Sequence, residues 1–192
     1  MACLCFLVLV ALAGLLAPLV APHDPVDIDV RNKFAPYSWE HWLGTDHLGR
    51  DILSRLIFGV RASLGFSLLT MGVTVSIGMV LGMLAGFLRG RVESALMRLC
   101  DVMMSFPSEV MILAIVGMLG PGLENVVLAC VIAKWPWYTR MIRTVTRQYA
   151  DMNHIRFARV AGYGTFHIIR KHLLPCAAGE IVVLATLDTG AV

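Results

Sequence analysis

Two long stretches without a charged side chain constrain what this chain can fold into. Residues 2–22 and 62–88 contain no Asp, Glu, Lys or Arg. A helix of about 20 apolar residues is long enough to cross the hydrocarbon core of a bilayer, and it satisfies its backbone hydrogen bonds internally. Charged residues make up 15% of the 192 residues, whereas soluble domains carry about 25%. The chain is therefore predicted to be an integral membrane protein.

The first uncharged stretch predicts an uncleaved transmembrane helix over residues 1–21 rather than a signal peptide. No basic residue precedes it, its apolar core is long, and Pro18 and Pro22 crowd its end. Together with the segments that follow, it predicts an all-α membrane protein with a bundle of about five transmembrane helices. The five apolar segments span residues 3–21, 61–88, 92–119, 123–141 and 176–192. Charged residues interrupt the third segment, and its N-terminal half could lie at the membrane interface before the helix enters at Phe106-Pro107.

Basic residues set the predicted orientation, because they concentrate on the cytoplasmic side of membrane proteins. Arg89 and Arg91 lie between the second and third segments, and residues 140–171 contribute seven more basic side chains. These two loops share a side if each segment crosses once. The sequence therefore predicts a cytoplasmic N-terminus, an extracytoplasmic loop over 22–60 and a helical domain over 61–192 with a cytoplasmic loop over 142–175.

Glycines recur along the second apolar segment at Gly78, Gly82 and Gly86. A spacing of four residues places them on one face of a helix, where small residues let a second helix approach closely. This pattern predicts a helix–helix interface. The alternative is that glycine is simply frequent in membrane helices.

Methionines recur every seven residues through the third apolar segment, which predicts one stripe along a single helix. Thioethers can bind soft metal ions, but adaptable packing is their commoner role. Glu109 follows Phe106-Pro107, and an acidic side chain there is expected to face a bundle interior, water or a partner. It could line a path for a cation, or form a structural hydrogen bond between helices. The methionines are Met97, Met104, Met111 and Met118, and the candidate path residues are Met104, Met111 and Glu109.

The remaining reactive side chains form no motif for catalysis or metal binding. The five cysteines include no C-x-x-C pair and are interpreted as small apolar residues. His23, His41 and His47 in the external loop lack a helical metal-ligand spacing, so no metal ligand is assigned and transient metal contact is a minor alternative. No catalytic constellation is found, and the net charge of +3 does not indicate nucleic-acid binding. The chain is predicted not to be an enzyme.

A semi-polar loop follows the fourth segment. Residues 154–161 predict a short helix, 162–164 a turn, and 165–174 a second helix that Pro175 ends. Such a unit can seat in a groove of a partner, or it can lie on the membrane surface as an amphipathic pair. Its candidate apolar contacts are Phe157, Ala161, Tyr163 and Phe166.

This loop resembles the cytoplasmic loop of permeases of ATP-binding-cassette importers, which carries Glu-Ala-Ala, a glycine after three further residues and a later Leu-Pro. Ala158 matches the second alanine, Gly162 the glycine and Leu174-Pro175 the ending, whereas Arg156 and Phe157 replace the usual Glu and first Ala. The resemblance implies that the loop contacts an ATPase. The implied coupling residues are Arg156, Phe157, Ala158, Ala161, Gly162, Tyr163, Leu174 and Pro175.

The run Gly44-Thr-Asp-His-Leu-Gly-Arg-Asp51 is similar to the hallmark of the C-type permeases for dipeptides, oligopeptides and nickel. The segments around Trp135–Arg143 and Leu184–Asp188 look closest to the nickel-transport members. Family members have six transmembrane helices, so this chain is expected to be truncated at its C-terminal end. The motif residues of the external loop are Gly44, Thr45, Asp46, Gly49, Arg50 and Asp51.

The resemblance implies an inner-membrane permease subunit that forms part of a path for nickel, free or chelated, and couples it to ATP hydrolysis. A dipeptide or oligopeptide importer is the alternative, and a non-transporting membrane scaffold or assembly subunit is the alternative of another class. The implied partners are a second permease, two cytoplasmic ATP-binding subunits, an extracytoplasmic substrate-binding protein and membrane lipid. The chain itself is expected to bind no cofactor, because ATP is used by the partner subunits.

Overall fold

The described part of the computed structural model covers residues 2–188, with side chains from residue 5 to residue 186. Helices occupy most of all five predicted apolar segments, in agreement with the predicted all-α class, and residues 189–192 of the fifth segment lie outside the described residues. Contacts divide the chain into two compact units, one ending at Phe66 and one beginning at Ser67. The helices are α1 (Ala2–Leu15), α2 (Ala17–Val20), α3 (Ile52–Leu88), α4 (Gly90–Met104), α5 (Ser108–Leu119), α6 (Leu123–Ala150), α7 (Asn153–Val160), α8 (Thr165–Ile168) and α9 (Leu174–Asp188).

One helix in the described residues, α3, is by itself long and apolar enough to cross a membrane. The pair α4 and α5 passes the same test when the two helices are taken together, and they are bent by 77° at the break between them. α1 is a shorter apolar helix, whose described apolar part runs from Cys5 to Leu15.

Two helix boundaries differ from those that hydropathy predicts. α3 begins at Ile52 rather than at residue 61, because the Asp51 carboxylate accepts a hydrogen bond from the Ser54 amide at 2.8 Å and so caps the helix. α6 continues to Ala150 rather than ending at residue 141. Both extensions contain arginines, so a pattern of apolar residues does not detect them.

The third predicted segment, residues 92–119, is divided between two helices at the position where its entry into the membrane was expected as an alternative. Helix α4 ends at Met104 and α5 begins at Ser108, because Pro107 lacks an amide hydrogen and disfavours helical backbone at the residue before it. The methionine stripe is therefore divided between two helices of different direction. Met97 and Met104 lie on α4, whereas Met111 lies on α5.

The glycine face of α3 packs against α6, which confirms the predicted interface. A Cβ atom added at Gly78 would lie 2.5 Å from Tyr138 Cβ, and one at Gly86 would lie 2.7 Å from Thr146 Cβ. All three glycines of the repeat are buried. Backbone contact this close requires glycine on one of the two helices.

Two apolar clusters form the core of the second unit. The first joins α3, α6 and α9, and the second fixes α7, α8 and the segment after them to the ends of α3 and α6. The first contains Met83, Tyr138, Ile142, Val145, Ala177 and Ile181. The second contains Phe87, Ala150, Ile155, Ala158, Ile168 and Leu173.

Candidate functional site

Helix α7 is amphipathic, and one of its faces anchors it to the second cluster. Ile155 and Ala158 are three residues apart and are 0% and 3% exposed. They pack with Phe87 of α3 and Ala150 of α6. The predicted helix over 154–161 is thus confirmed, and its position is tied to two long helices.

The opposite face of α7 and the turn after it present large apolar side chains to the surroundings. Phe157 is 74% exposed and Val160 is 87% exposed. Tyr163 and Phe166 extend this surface beyond the turn. We call these four residues the coupling face. Exposed apolar patches of this kind mark interaction surfaces.

Gly162 forms the turn between α7 and α8. Its φ of +83° lies in the left-handed region, and its amide donates to the Arg159 carbonyl at 3.1 Å. The next amide, that of Tyr163, donates to the Ala158 carbonyl at 3.2 Å. These bonds close the end of α7 in the manner of a glycine cap. A side chain at Gly162 would meet open space but a strained backbone.

The predicted end of the second helix at Pro175 is wrong. The backbone stays helical from Thr165 through Pro175 into α9, with a π-helical segment over Ile169–Leu173. Pro175 is the second residue of α9, a position where the missing amide hydrogen costs little. The wider turn just before it absorbs the disruption, as π-bulges do. Leu174 packs against the first cluster, whereas Pro175 is exposed.

Ion pairs lie around α7 and the ends of α3 and α6. Asp151, which ends α6, accepts a hydrogen bond from Arg89 at 2.7 Å and pairs with Arg156 at 3.6 Å. The hydrogen bond from Arg89 holds the pKa of the Asp151 carboxyl below its ordinary value. Arg159 lies over the Phe87 ring, with its guanidinium carbon 4.5 Å from the ring centre. Arg156, which replaces the family's acidic residue, therefore joins a local charge network.

A second group of ion pairs links α4 to α6 and was missed by sequence reasoning. Glu93 accepts from Arg143 Nε at 2.7 Å and from Arg147 at 3.1 Å. Asp101 pairs with Arg140. Its partner lies on another helix, although Arg98 is closer to Asp101 in sequence. The arginine face of α6 is not simply solvated, and no local pattern reveals a partner some 50 residues away in sequence.

A cavity of about 420 Å³ lies at the bend between α4 and α5 and beside α6. Two of the three candidate path residues, Met104 and Glu109, line it. Ser108 donates a hydrogen bond to Glu109 at 2.8 Å. Met111 is half-buried one turn further along α5 and is not among the described lining residues. The bend therefore brings an acidic and a thioether side chain to one recess.

In the first unit, Asp46 organises the loop between α2 and α3. Its carboxylate accepts hydrogen bonds from the Leu48 and Arg50 amides at 2.8 and 3.1 Å and from Arg50 Nε at 2.9 Å, and it also pairs with Arg55. Burial raises the pKa of the Asp46 carboxyl, but these bonds, with that from Arg50 foremost, lower it well below the ordinary value. Asp46 therefore acts as the hub of this turn.

The other motif residues also have structural roles. The Thr45 hydroxyl accepts the Ala35 amide at 2.8 Å, and Thr45 bridges Asp51 across the turn. Gly44 and Gly49 both have positive φ. A Cβ at Gly49 would lie 1.7 Å from the Asp29 carbonyl oxygen, so any other residue is excluded there.

Asp51 is almost fully buried and contacts His41 as well as Ser54. His41 Nδ1 lies 3.1 Å from Asp51 Oδ1. Burial raises the pKa of the Asp51 carboxyl, but bonds from the Ser54 amide and hydroxyl and from His41 more than offset this and lower it. The carboxylate thus holds the start of α3 and the loop together.

These features define a helical membrane subunit with an anchored, partly apolar helix-turn-helix loop. The family profile described as binding-protein-dependent transport system inner membrane component matches residues 78–192. A second profile, the N-terminal transmembrane domain of oligopeptide transport permease C, matches residues 1–36. The chain therefore belongs to the family of inner membrane components of binding-protein-dependent transport systems, the permeases of ATP-binding-cassette importers. Membership confirms the predictions of an inner-membrane protein and of a permease rather than an enzyme.

Named relatives carry different substrates in their names. The metal-staphylopine import system permease of Staphylococcus aureus (strain Mu50) is 45% identical over 180 residues, which cover 94% of this chain and 62% of the relative. The nickel transport system permease of Escherichia coli (strain K12) is 38% identical over 187 residues, covering 97% and 68%. The di/tripeptide transport system permease of Pseudomonas aeruginosa is 39% identical over 191 residues, covering 96% and 63%. The alignment thus spans somewhat less than two thirds of the metal-staphylopine permease.

Proposed function

We propose that this chain is a permease subunit of an ATP-driven importer, and that its coupling face docks on a cytoplasmic ATPase. The observation that carries the proposal is the contrast across α7, where Ile155 and Ala158 are buried and Phe157 and Val160 are exposed. A helix anchored on one side and apolar on the other is suited to fill a groove in a partner. Because the anchor joins α3 and α6, a push on α7 would reach both helices.

Coupling requires a difference in free energy between two states. ATP can drive the importer only if the closed ATPase pair binds one conformation of the permease better than the other. A rigid connection from α7 to the long helices supplies the mechanical part of this coupling. The proposed partners are two ATP-binding subunits, a second permease and an external binding protein.

A pair of exposed-aromatic substitutions tests the docking proposal. Phe157→Asp is expected to abolish co-purification with the ATPase, because it places a charge in an apolar contact without touching the buried anchor. Tyr37→Asp in the external loop is the matched control, since Tyr37 is also exposed, and it should leave co-purification unchanged. Retained ATPase binding in Phe157→Asp would contradict the proposal and favour the scaffold alternative.

The turn glycine provides a second test. Gly162→Arg should abolish transport while membrane insertion stays normal, because the long cation lies beside the coupling face and the left-handed φ strains the backbone. The residue has open space around it, so the fold should survive. Uptake at the wild-type rate in this variant would show that the loop does not couple.

We further propose the orientation in which the N-terminus and residues 142–175 are cytoplasmic and the loop before α3 is external. The aromatic side chains of Tyr37, Trp39 and Trp42 border a recess in that loop, as expected for a headgroup or binding-protein contact. Single cysteines at positions 37 and 157, in a background without the native cysteines, report the topology. Labelling by an impermeant maleimide from outside should occur at 37 and not at 157.

For the substrate, we propose nickel, free or chelated, with a di- or oligopeptide as the alternative. Two of the relatives named above carry a metal in their names, and the recess at the bend combines Glu109 with Met104. The test co-expresses the gene with those of its ATPase and binding-protein partners and measures uptake of radioactive nickel with and without excess dipeptide. Nickel uptake that excess dipeptide does not reduce supports the metal. Dipeptide uptake without nickel uptake supports the alternative and leaves Glu109 a packing role.

A further inference from the structure

The loop before α3 brings together three side chains that are distant in sequence. His23 follows α2, His41 lies in the middle of the loop, and Asp51 caps α3. One ligand atom from each residue lies within 4.8 Å of the other two, and Asp51 is buried while both histidines are half-buried. We propose that these three residues form a binding site for a divalent first-row transition-metal ion.

The donor set fits such an ion. Two imidazole nitrogens and one carboxylate oxygen are ligands that Zn²⁺, Ni²⁺ and Co²⁺ share, and three protein ligands leave room for water or a further donor. The carboxylate supplies one negative charge to balance the cation. Soft thioether or thiolate sulfur is not part of this set, which sets it apart from the methionines of α4 and α5.

The geometry is close to that of a loaded site. Ligands held about 2.1 Å from one ion lie roughly 3.0–3.4 Å from one another. His41 Nδ1 and Asp51 Oδ1 are already 3.1 Å apart. All three candidate ligand atoms lie within 4.8 Å of one another, and the ring centre of His23 lies 4.8 Å from that of His41.

Supporting bonds hold the three residues in place. Asp51 Oδ2 accepts the Ser54 amide at 2.8 Å, which leaves Oδ1 directed at His41. The His23 amide donates to the Ser54 hydroxyl at 3.0 Å. Outer hydrogen bonds of this kind orient metal ligands.

The His23 ring has unused bonding capacity. Its Nδ1 is buried and has no hydrogen-bond partner among the described residues. Buried ring nitrogens are nearly always paired with protein, water or metal. An additional ligand in this cluster is therefore expected on grounds independent of the distances.

The site was missed in the sequence because its spacing is irregular. The three external histidines are His23, His41 and His47, and the fold selects two of them and adds Asp51. His47 is exposed and outside the cluster. It therefore serves as a matched control within the same loop.

The test measures bound metal directly in the purified protein with its partner subunits, prepared with a tag that contains no histidine. Equilibrium dialysis against nickel chloride, without ATP or binding protein, is expected to show one fewer nickel per chain in His23→Phe than in wild type. Phenylalanine keeps a ring against His41 but has no donor nitrogen. His47→Phe should bind as wild type does.

His41→Asn provides a second variant in case His23→Phe disturbs the loop, because its amide can still donate to Asp51 while binding metal weakly. It should also lose one nickel per chain. Extended X-ray absorption fine structure at the nickel edge is recorded for the wild type and for His23→Phe. The difference between the two spectra should show nitrogen and oxygen neighbours with the scattering pattern of imidazole rings. Equal binding in wild type, His23→Phe and His41→Asn, or sulfur neighbours in the difference spectrum, would overturn the assignment. The readout needs no transport, so it is independent of the substrate proposed above.

Discussion

Replacing Gly82 by alanine tests the interface between α3 and α6. The position of α7 depends on this interface, because α7 packs against the ends of both helices. The added Cβ would lie 2.7 Å from the Thr139 carbonyl oxygen and 2.9 Å from Ile142 Cβ, where ordinary contact begins at 3.4 Å. The nearest atom belongs to backbone, so the helices must separate by about half an ångström or more. Overpacking of this kind costs about 1–3 kcal/mol.

Gly72→Ala is the matched control on the same helix. Gly72 is exposed and nothing lies within 4 Å of its added Cβ. Alanine is the better helix former by up to about 1 kcal/mol in water, so this variant should be neutral or slightly stabilised. The two substitutions change the same atoms in the same helix and differ only in what the methyl group meets.

The assay is reversible unfolding in mixed micelles with increasing dodecyl sulfate, followed by far-ultraviolet circular dichroism. The expected difference between Gly82→Ala and Gly72→Ala is about 1–3 kcal/mol, which is the overpacking cost alone, because both variants gain the same helix propensity. Equal unfolding free energies for the two variants would refute close packing of α3 on α6. A stabilised Gly82→Ala would do so more strongly.

Three further substitutions test other contacts. Asp46→Asn should destabilise the loop between α2 and α3 at neutral pH. The folded pKa of Asp46 lies below 3.8. The stability that this carboxylate gives the wild type is therefore full above pH 3.8 and is lost as the pH falls through the folded pKa. If proteolysis of the loop is insensitive to pH in this range and is the same in the variant, Asp46 does not stabilise the loop. Glu93→Gln should lower the free energy of unfolding by about 1–3 kcal/mol. A double-mutant cycle with Arg143→Met should show that the two effects are coupled, whereas additive effects would exclude a stabilising ion pair. Gly49→Ala should open the loop to trypsin, whereas Gly59→Ala, which meets nothing within 4 Å, should not; equal resistance would contradict the close approach of Asp29.

Local sequence patterns were sufficient for the helical class, the membrane setting and the short helix α7. They left the effect of Pro107 open between two alternatives, and they were wrong at Pro175. Pro107 breaks the helix that hydropathy joins, whereas Pro175 lies in a helical run that it was expected to end. A proline determines which backbone bond is lost, but whether the chain bends or continues depends on the packing around it. Leu173 and Leu174 are held by the two clusters, and that packing keeps α9 continuous with the loop.

The sequence by itself determined what depends on composition and short spacing. The uncharged stretches predict helices in a membrane, the glycine repeat favours a close helix neighbour, and the Gly44–Asp51 run with Gly162 and Leu174-Pro175 indicates the family. Tertiary structure decided the partners across long separations, because a side chain's charge is visible in sequence but its distance to another is not. It paired Glu93 with Arg143, brought His23 beside His41 and Asp51, and selected which face of α7 is buried.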